Sequence, residues 1–534
     1  MKITQTKLIL FTAFFFVLFD NLAFFTHVME VYPVSLKNMG FLLSLPVVLS
    51  CFIVLLLVLA SSRYTIKPVL IFLLLLSSLA AYFMNNYSVV IDHVMIQNLV
   101  QTNINEAGDL FSLKLLFYFV LLGVLPAVFV FLVEIQPASW KRSIITKSVL
   151  GSSAVLVALA VALLFSKSYT SFAREHTSLR YYTNPTYYIY SVGKYINETY
   201  NGREVVVQSL GTDALVPVTD LDRELVILVV GEAVRADRLS LNGYERETTP
   251  FLQNEDVVSF SRMYSCGTST AYSVPCMFSI FPRGQFSNSK GASSENLLDV
   301  LKHAGVNVLW RDNNSDSKGV ASRVEYQDYK KPELNPVCDS ECRDVGMLVG
   351  LQEYIDEKQE GDIFIVLHQM GNHGPAYYKR YPEDYERYTP VCRSNQFEEC
   401  TNKEINNAYD NAILYTDYFL SQVIELLKKN TGRFETAMVY MSDHGESLGE
   451  HNIYLHGLPY AMAPEVQTHI GSVFWLGNGF KLDKKALRDK SAINFSQDNL
   501  FHTVLGLLEI ETEVYDKNLD MINYDNYQAD RQHL

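Results

Sequence analysis

The chain has no internal repeat and no low-complexity tract. Its 534 residues are therefore neither a stacked array nor a tail of biased composition, and they imply two or more domains. Its cysteines lack the two-residue spacing and neighbouring histidines of a zinc knuckle, which removes that class of structural metal site. Lys and Arg are absent from residues 85–112. No small-x-small cleavage site follows the first apolar run, and the run resumes beyond Asp20 and Asn21. It therefore reads as a retained segment, not a removed signal peptide. Charge is scarce throughout the first third, where residues 1–166 hold 9 Lys and Arg and 6 Asp and Glu.

What fills that third is apolar. Runs at residues 8–28, 41–61, 68–84, 113–133 and 148–165 each approach the ~20 apolar residues that cross a bilayer as a helix. Lys2 and Lys7 precede the first run, Arg63 and Lys67 separate the second from the third, and Lys141, Arg142 and Lys147 separate the fourth from the fifth. Basic residues collect on the cytoplasmic side of a membrane. The spacing predicts a cytoplasmic N-terminus, five spans, an outer loop at 85–112 and an outer remainder from 167 onward. Asp20 and Asn21 then line the bundle interior or sit near the headgroups.

The cysteines agree with this sidedness. Cys51 falls inside the second run, whereas the other six form close pairs outside: Cys266 with Cys276, Cys338 with Cys342, and Cys392 with Cys400. Such pairs read as three disulfides in an oxidising compartment. Beyond residue 166 the chain holds 35 Lys and Arg against 52 Asp and Glu, a net of −17. Its overall field draws neither nucleic acid nor anionic lipid, so local cations must meet any anionic substrate.

Residues 167–222 read as a Tyr-rich linker with some helix. Beyond it, apolar runs at 224–230, 307–311, 362–368, 437–442 and 471–476 alternate with helical patterns at 295–304, 345–358, 402–429 and 497–508. That alternation predicts an α/β domain whose mostly parallel sheet is covered on both faces. Ligands in such folds gather at the carboxyl ends of strands. The rule selects Glu232 after the first run, His368 and His373 at the third, and Asp443, His444, Glu446 and His456 after the fourth. A lone Glu there is usually a cap or a surface group. An Asp-His pair at a strand end has no such packing purpose, and the set together suits a zinc-like metal.

The stretch 265–279, SCGTSTAYSVPCMFS, holds a run of hydroxyls between two cysteines. A hydroxyl attacks only once coordination or a base draws off its proton. One of Thr268, Ser269, Thr270 and Ser273 is expected to be both metal ligand and nucleophile, and the spacing leaves the choice open.

That stretch, together with HQMGNHGPAYYKRY, SDHGESLGE and YLHGLP, resembles the lipid A phosphoethanolamine transferases, the mobile colistin-resistance enzymes among them. The likeness runs the length of the chain. It implies a five-helix transmembrane domain (1–166) with a periplasmic loop at 85–112, a linker (167–222), and a periplasmic catalytic domain of alkaline-phosphatase/sulfatase type (223–534). Matched residue by residue, it implies that Thr270 is the nucleophile and that Glu232, Thr270, Asp443 and His444 bind the principal zinc. His373 and His456 match residues that hold the phosphoryl group or a second, weaker zinc. Asn314 and Lys318, in WRDNNSDSKGV, match positions that contact phosphoethanolamine or the acceptor. In MIQNLVQTNINEAGDL, which resembles the family's amphipathic segment, Asn98, Thr102 and Glu106 match positions that help receive the donor. A plain interfacial helix with a solvated face accounts for those three equally well.

The implied reaction moves phosphoethanolamine from phosphatidylethanolamine to Thr270 and then to a lipid A phosphate, in a monomer of the bacterial inner membrane. The added amine weakens the attraction of cationic polymyxins. Two alternatives keep the scaffold: transfer to a core sugar or periplasmic glucan, and simple hydrolysis. A formylglycine sulfatase is disfavoured, because Met277 stands where the Cys/Ser-x-Pro-x-Arg segment requires Arg. A transporter or sensor is disfavoured too, since Asp20 is nearly alone as a charge within the spans.

Overall fold

The computed structural model describes residues 2–60, 62, 64–102, 108, 110–200, 207–480, 482 and 484–522. Arg63 and Glu106 lie outside the described residues. The chain divides into two compact units, one comprising Met1–Gln97 and Phe111–Asn197, the other Asn98–Leu110 and Glu198–Leu534.

Among the described residues of the first unit, four helices are long and apolar enough to cross a membrane: Leu36–Ala60, Ile66–Tyr87, Leu113–Leu132 and Trp140–Leu164. The first apolar run differs from the single straight span expected of it. It forms two helices, Gln5–Phe19 and Leu22–Val31, bent by 53°, which make a fifth span if taken as one. The break falls at the two polar residues. Asn21 Nδ2 donates to the Phe16 carbonyl at 2.9 Å, and Asn21 Oδ1 accepts the backbone N–H of Asn184 at 2.9 Å. A side chain that offers the backbone such partners competes with helix continuation. Asp20 is buried in the bundle, 2% exposed. Residues 167–200 are mostly helical, in Ser166–Glu175, a 3₁₀ segment Thr177–Tyr182 and Thr186–Tyr200.

The second unit is organised by a seven-stranded sheet. Its strands are β1 (Glu224–Gly231), β2 (Val257–Ser259), β3 (Asn307–Asp312), β4 (Glu325–Asp328), β5 (Ile363–His368), β6 (Glu435–Ser442) and β7 (Ser472–Leu476), in the order β2-β7-β6-β1-β5-β3-β4. All neighbours from β6 to β4 pair in parallel, whereas β7 runs antiparallel to both β6 and β2. Every residue of β1, ELVILVVG, is buried, as expected of a central strand covered on both faces. Val226, Leu228 and Val230 join one core with Trp310, Phe364, Val439 and the helix Leu500–Leu507. The long helix Asn402–Asn430 packs along β6 and begins with a capping box at Thr401 and Glu404. The helical pattern at 345–358 is shorter in the structure: a 3₁₀ segment Asp344–Leu348 precedes the helix Leu351–Glu357. The interruption is Gly350 at φ 70°, a left-handed residue that no helix continues through.

Register sets the site. Val230 pairs with His368, Gly231 with Ser442, and Asp312 with His368. Four strand ends thus stop at one level, and the residues after them share one rim. The three expected disulfides form with the expected partners: Cys266 bonds to Cys276, Cys338 bonds to Cys342, and Cys392 bonds to Cys400. Each closes a short loop, with 10, 4 and 8 residues of separation respectively, so each clamps local structure and none ties distant parts of the domain together. Cys51 is free and buried.

At the other end of the sheet, Glu224 and Asp362 are buried together and their carboxyl groups are hydrogen-bonded. Burial first, and the Asp362 charge next, push the Glu224 carboxyl far above its usual range. A folded-state value raised above the unfolded one contributes stability that is complete below about pH 4 and is lost as pH rises toward the folded value. Glu224→Gln is therefore expected to stabilise the domain at pH 8 by about 1 kcal/mol, roughly 2–4 °C. The gain should shrink at pH 5, and thermal melts at both values check it.

Candidate active site

Glu232 follows β1, and Asp443 and His444 follow β6, as the strand-end rule requires. Ala233, at φ 57°, turns the chain sharply after Glu232, and its N–H donates to Asp443 Oδ1 at 3.1 Å. Gly371 closes the same corner. It has φ 47°, and a Cβ there would lie 3.1 Å from Glu232 backbone and Cβ atoms, so only glycine fits without displacement. Asp443 also accepts the His444 N–H at 2.7 Å. Gln497 binds the rim to the disulfide loop: its Nε2 donates to the Ser442 and Asp443 carbonyls at 2.9 and 2.8 Å, and its Oε1 accepts the Cys266 N–H at 2.7 Å.

The clamped loop delivers one hydroxyl to this rim, and it is Thr270. Thr270 is the first residue of the helix Thr270–Met277, and the bond between Cys266 and Cys276 joins the loop before it to the last turn of that helix. Thr268 anchors the loop from the far side, its Oγ1 donating to the Leu458 carbonyl at 2.6 Å. Thr270 Oγ1 then lies 3.0 Å from Glu232 Oε2 and 3.4 Å from His444 Nε2. Ser269 and Ser273 make no hydrogen bond to the cluster, since both hydroxyls are buried with no hydrogen-bond partner among the described residues. Helix N-termini favour negative charge, so Thr270 sits where an alkoxide or phosphoryl oxygen is stabilised.

Glu232, Asp443 and His444 form a compact donor set, each offering one ligand atom within 4.8 Å of the others. His444 Nε2 is 3.3 Å from Glu232 Oε1 and 3.4 Å from Asp443 Oδ2. His444 Nδ1 is held by the Gly445 carbonyl at 2.8 Å, which fixes Nδ1 as the protonated nitrogen and aims the Nε2 lone pair at the cluster. Glu232 Oε1 and Asp443 Oδ2 are buried without a hydrogen-bond partner among the described residues. Burial first, then the Asp443 charge, drive the Glu232 carboxyl well above its usual range when no cation offsets them. Orphaned acceptors converging on a lone pair are the environment a divalent cation satisfies, and the two carboxylates, one imidazole and one hydroxyl suit zinc.

The remaining residues surround this set. The His456 ring lies 4.2 Å from that of His444, tilted against it by 43°, and 6.1 Å from that of His373. Its Nδ1 faces both oxygens of the buried Glu446 at 3.3 Å. His373 is half-buried, and desolvation of its ring together with the Arg380 charge lowers its pKa well below the usual value, so it is a neutral imidazole at pH 7. Asn314 Nδ2 donates to Glu232 Oε2 at 2.8 Å, and Lys318 lies close enough to His373 to act on its charge. His368 does not reach the cluster; its Nδ1 meets Asp312 Oδ2 at 2.8 Å. Asn98 lies on the helix His93–Gln101 and Thr102 just beyond it, with Thr102 Oγ1 bonded to the Asn98 carbonyl at 2.7 Å. No hydrogen bond joins either to the Thr270 cluster among the described residues. The other two disulfides, Cys338 with Cys342 and Cys392 with Cys400, supply no ligand atom to this cluster. Sequence reasoning missed Gln497 and Asp312. Asp312 was within reach of the strand-end rule, being the last residue of β3, whereas Gln497 sits in a segment that carries no motif.

A hydroxyl at a helix start, facing carboxylates and an imidazole at the parallel strand ends of a covered sheet, fits the sulfatase-type class, and residues 224–510 match the Sulfatase family model. Residues 49–200 match the model described as phosphoethanolamine transferase EptA/EptB. Phosphatidylethanolamine transferase Mcr-2 of Escherichia coli is 44% identical over 470 residues, which is 86% of this chain and 87% of the relative. Phosphoethanolamine transferase EptA of Escherichia coli K12 is 38% identical over 525 residues, 96% of each chain. Among solved structures, the integral membrane lipooligosaccharide phosphoethanolamine transferase A of Neisseria meningitidis superposes with a TM-score of 0.93. It is 35% identical, and the match covers 98% of this chain and 99% of that one. The chain belongs to the phosphoethanolamine transferase family.

Proposed function

We propose that this chain transfers phosphoethanolamine from phosphatidylethanolamine to a lipid A phosphate by way of an adduct on Thr270, with zinc as its cofactor, and that it thereby confers polymyxin resistance. The observation that carries the reading is the placement of Thr270 Oγ1 3.0 Å from Glu232 and 3.4 Å from His444. The donor set Glu232, Asp443, His444 and Thr270 would hold the ion, which when bound lowers the hydroxyl pKa and screens the anionic phosphodiester.

The residues divide the remaining work. Thr270 Oγ1 attacks phosphorus; the Oγ1–P bond forms, the P–O bond to glycerol breaks, and diacylglycerol leaves after taking a proton. A lipid A phosphate oxygen then attacks the adduct, and Thr270 Oγ1 departs. Neutral His373 is suited to donate its ring N–H to a phosphoryl oxygen, and Glu446 orients His456 as the group that moves the proton. Lys318 meets the phosphate charge locally, which an acidic domain requires, while Asn314, assigned to the same phosphate-facing side, donates its amide hydrogens to Glu232 and the Gln369 carbonyl and holds that wall in shape. Asn98, Thr102 and Glu106 are assigned to reception of the donor lipid.

The working organisation places residues 1–166 in the inner membrane with the N-terminus cytoplasmic. It treats 167–222 as the connector and 223–534 as the periplasmic catalytic part, in a monomer. Tethering confines enzyme and both lipids to one surface, which replaces a slow encounter by a local one.

Lipid A mass spectra from cells with and without the gene test the acceptor. A phosphoethanolamine increment on lipid A is expected, and an increment confined to core sugars or glucans would reassign it. Thr270→Ser keeps the oxygen and removes only the methyl group. It is expected to retain between a hundredth and a tenth of the transfer rate, roughly 1–3 kcal/mol of barrier, read by donor turnover in detergent micelles.

A further inference from the structure

Asp312 ends β3 on the same rim as Glu232 and Asp443, yet it touches neither. Both its oxygens are fully engaged. Oδ2 accepts His368 Nδ1 at 2.8 Å and Trp310 Nε1 at 2.9 Å. Oδ1 accepts the N–H groups of Asn314 and Asp316 at 3.0 and 3.1 Å, with Lys330 Nζ at 3.4 Å. Asp312 and His368 are wholly buried. Burial alone would raise the Asp312 carboxyl, but His368 and Lys330 outweigh it and hold the group well below the usual range.

The turn that Asp312 gathers is one the backbone does not favour. Asp316 and Lys318 have φ of 89° and 52°, in the left-handed region disfavoured for residues with a Cβ. Such conformations persist only where surrounding contacts over-determine them. The turn carries two of the site's groups: Asn314, whose Nδ2 bonds Glu232 Oε2 at 2.8 Å and the Gln369 carbonyl at 2.7 Å, and Lys318. His368 Nε2 has no hydrogen-bond partner among the described residues, so the ring makes its side-chain hydrogen bond to Asp312.

We propose that the buried Asp312–His368 pair is a positioning device for the transfer reaction: the carboxylate folds the 312–318 turn into the shape that delivers Asn314 to Glu232 and Lys318 to the phosphoryl site, and His368 holds the carboxylate in place through its Nδ1 hydrogen bond. The inference rests on the phosphoethanolamine-transfer reading. Its rival is a role in holding the domain together and nothing more.

A double-mutant cycle in the full-length enzyme separates the two, because residues that act through one another give non-additive losses. The readouts are adduct formation with phosphatidylethanolamine in detergent micelles, kcat and KM for the donor, zinc content and melting temperature. Asp312→Asn places an amide where His368 and Trp310 donate, and is expected to lower kcat/KM about 30-fold with zinc retained. Asn314→Ala should fall comparably, and the double variant should lie within about 3-fold of the worse single. Losses that multiply, or an Asp312→Asn enzyme equal to wild type, would overturn the proposal. If Asp312→Asn does not accumulate, His368→Gln and His368→Ala carry the test. Gln can still donate to Asp312 and should keep most of the rate that Ala loses; equal losses would overturn it. A wild-type enzyme that forms no adduct would refute the transfer reading itself, whereas an adduct with additive losses refutes only this inference.

Discussion

Thr270→Ala is expected to abolish phosphoethanolamine transfer while leaving a folded, zinc-loaded protein. The Thr270 side chain contributes one hydroxyl and one methyl to a site whose other ligand groups are held independently: Glu232 by Asn314, Asp443 by Ala233 and the His444 N–H, and His444 by the Gly445 carbonyl. None of those supports passes through Thr270, so the site should survive its loss. The chemistry should not. Removing a nucleophile costs about 10⁴–10⁶-fold in enzymes that work through a covalent intermediate. Intact-mass analysis after incubation with phosphatidylethanolamine should show one added phosphoethanolamine group on the wild type and none on the variant. An adduct on the alanine enzyme would remove Thr270 from its role.

The second large effect concerns the cation. Glu232 and Asp443 are two buried carboxyl groups whose cluster-facing oxygens have no hydrogen-bond partner among the described residues, so without a cation the pair costs stability, because Glu232 is driven to hold a proton beside Asp443. Adding zinc to metal-stripped enzyme is accordingly expected to raise its melting temperature in a concentration-dependent way. Asp443→Asn should lose the zinc response and at least about 10³-fold of activity, roughly 4 kcal/mol of barrier. The sign of one comparison is diagnostic: without zinc, the Asn variant should melt above the wild type, because the Asp443 charge that opposes ionisation of Glu232 is gone. With zinc, the order should reverse. A wild type whose melting is indifferent to zinc would contradict the assigned donor set.

The site was legible in the sequence to the extent that strand ends were. Glu232, Asp443 and His444 follow uninterrupted apolar runs, and parallel register between Gly231 and Ser442 brings them level. Thr270 was visible as one of four hydroxyls between Cys266 and Cys276. Choosing it by physics required the helix start, which carries no periodic signal, and the contacts of Gln497, which the helical pattern at 497–508 does not reveal. The pairing of Cys338 with Cys342 and of Cys392 with Cys400 was legible from closeness in the chain alone, since short loops leave each thiol one near neighbour. His368 shows the limit of strand-end reasoning, since the rule places a residue on the rim and does not say which way its ring turns; this one turns to Asp312. In the membrane unit, hydropathy located the apolar runs but not the bend at Asp20 and Asn21, because a hydropathy sum does not register a side chain that binds the backbone. Short pairings such as β2 and β4 escaped notice, being too brief to show alternation.

The central claim is that a zinc ion held by Glu232, Asp443 and His444 contacts the Thr270 hydroxyl. Anomalous diffraction at the zinc absorption edge, from crystals of the full-length enzyme, tests it most directly. The account predicts one strong peak within coordinating distance, about 2 Å, of all four side chains. Full zinc occupancy elsewhere, with no peak among these four, would contradict it.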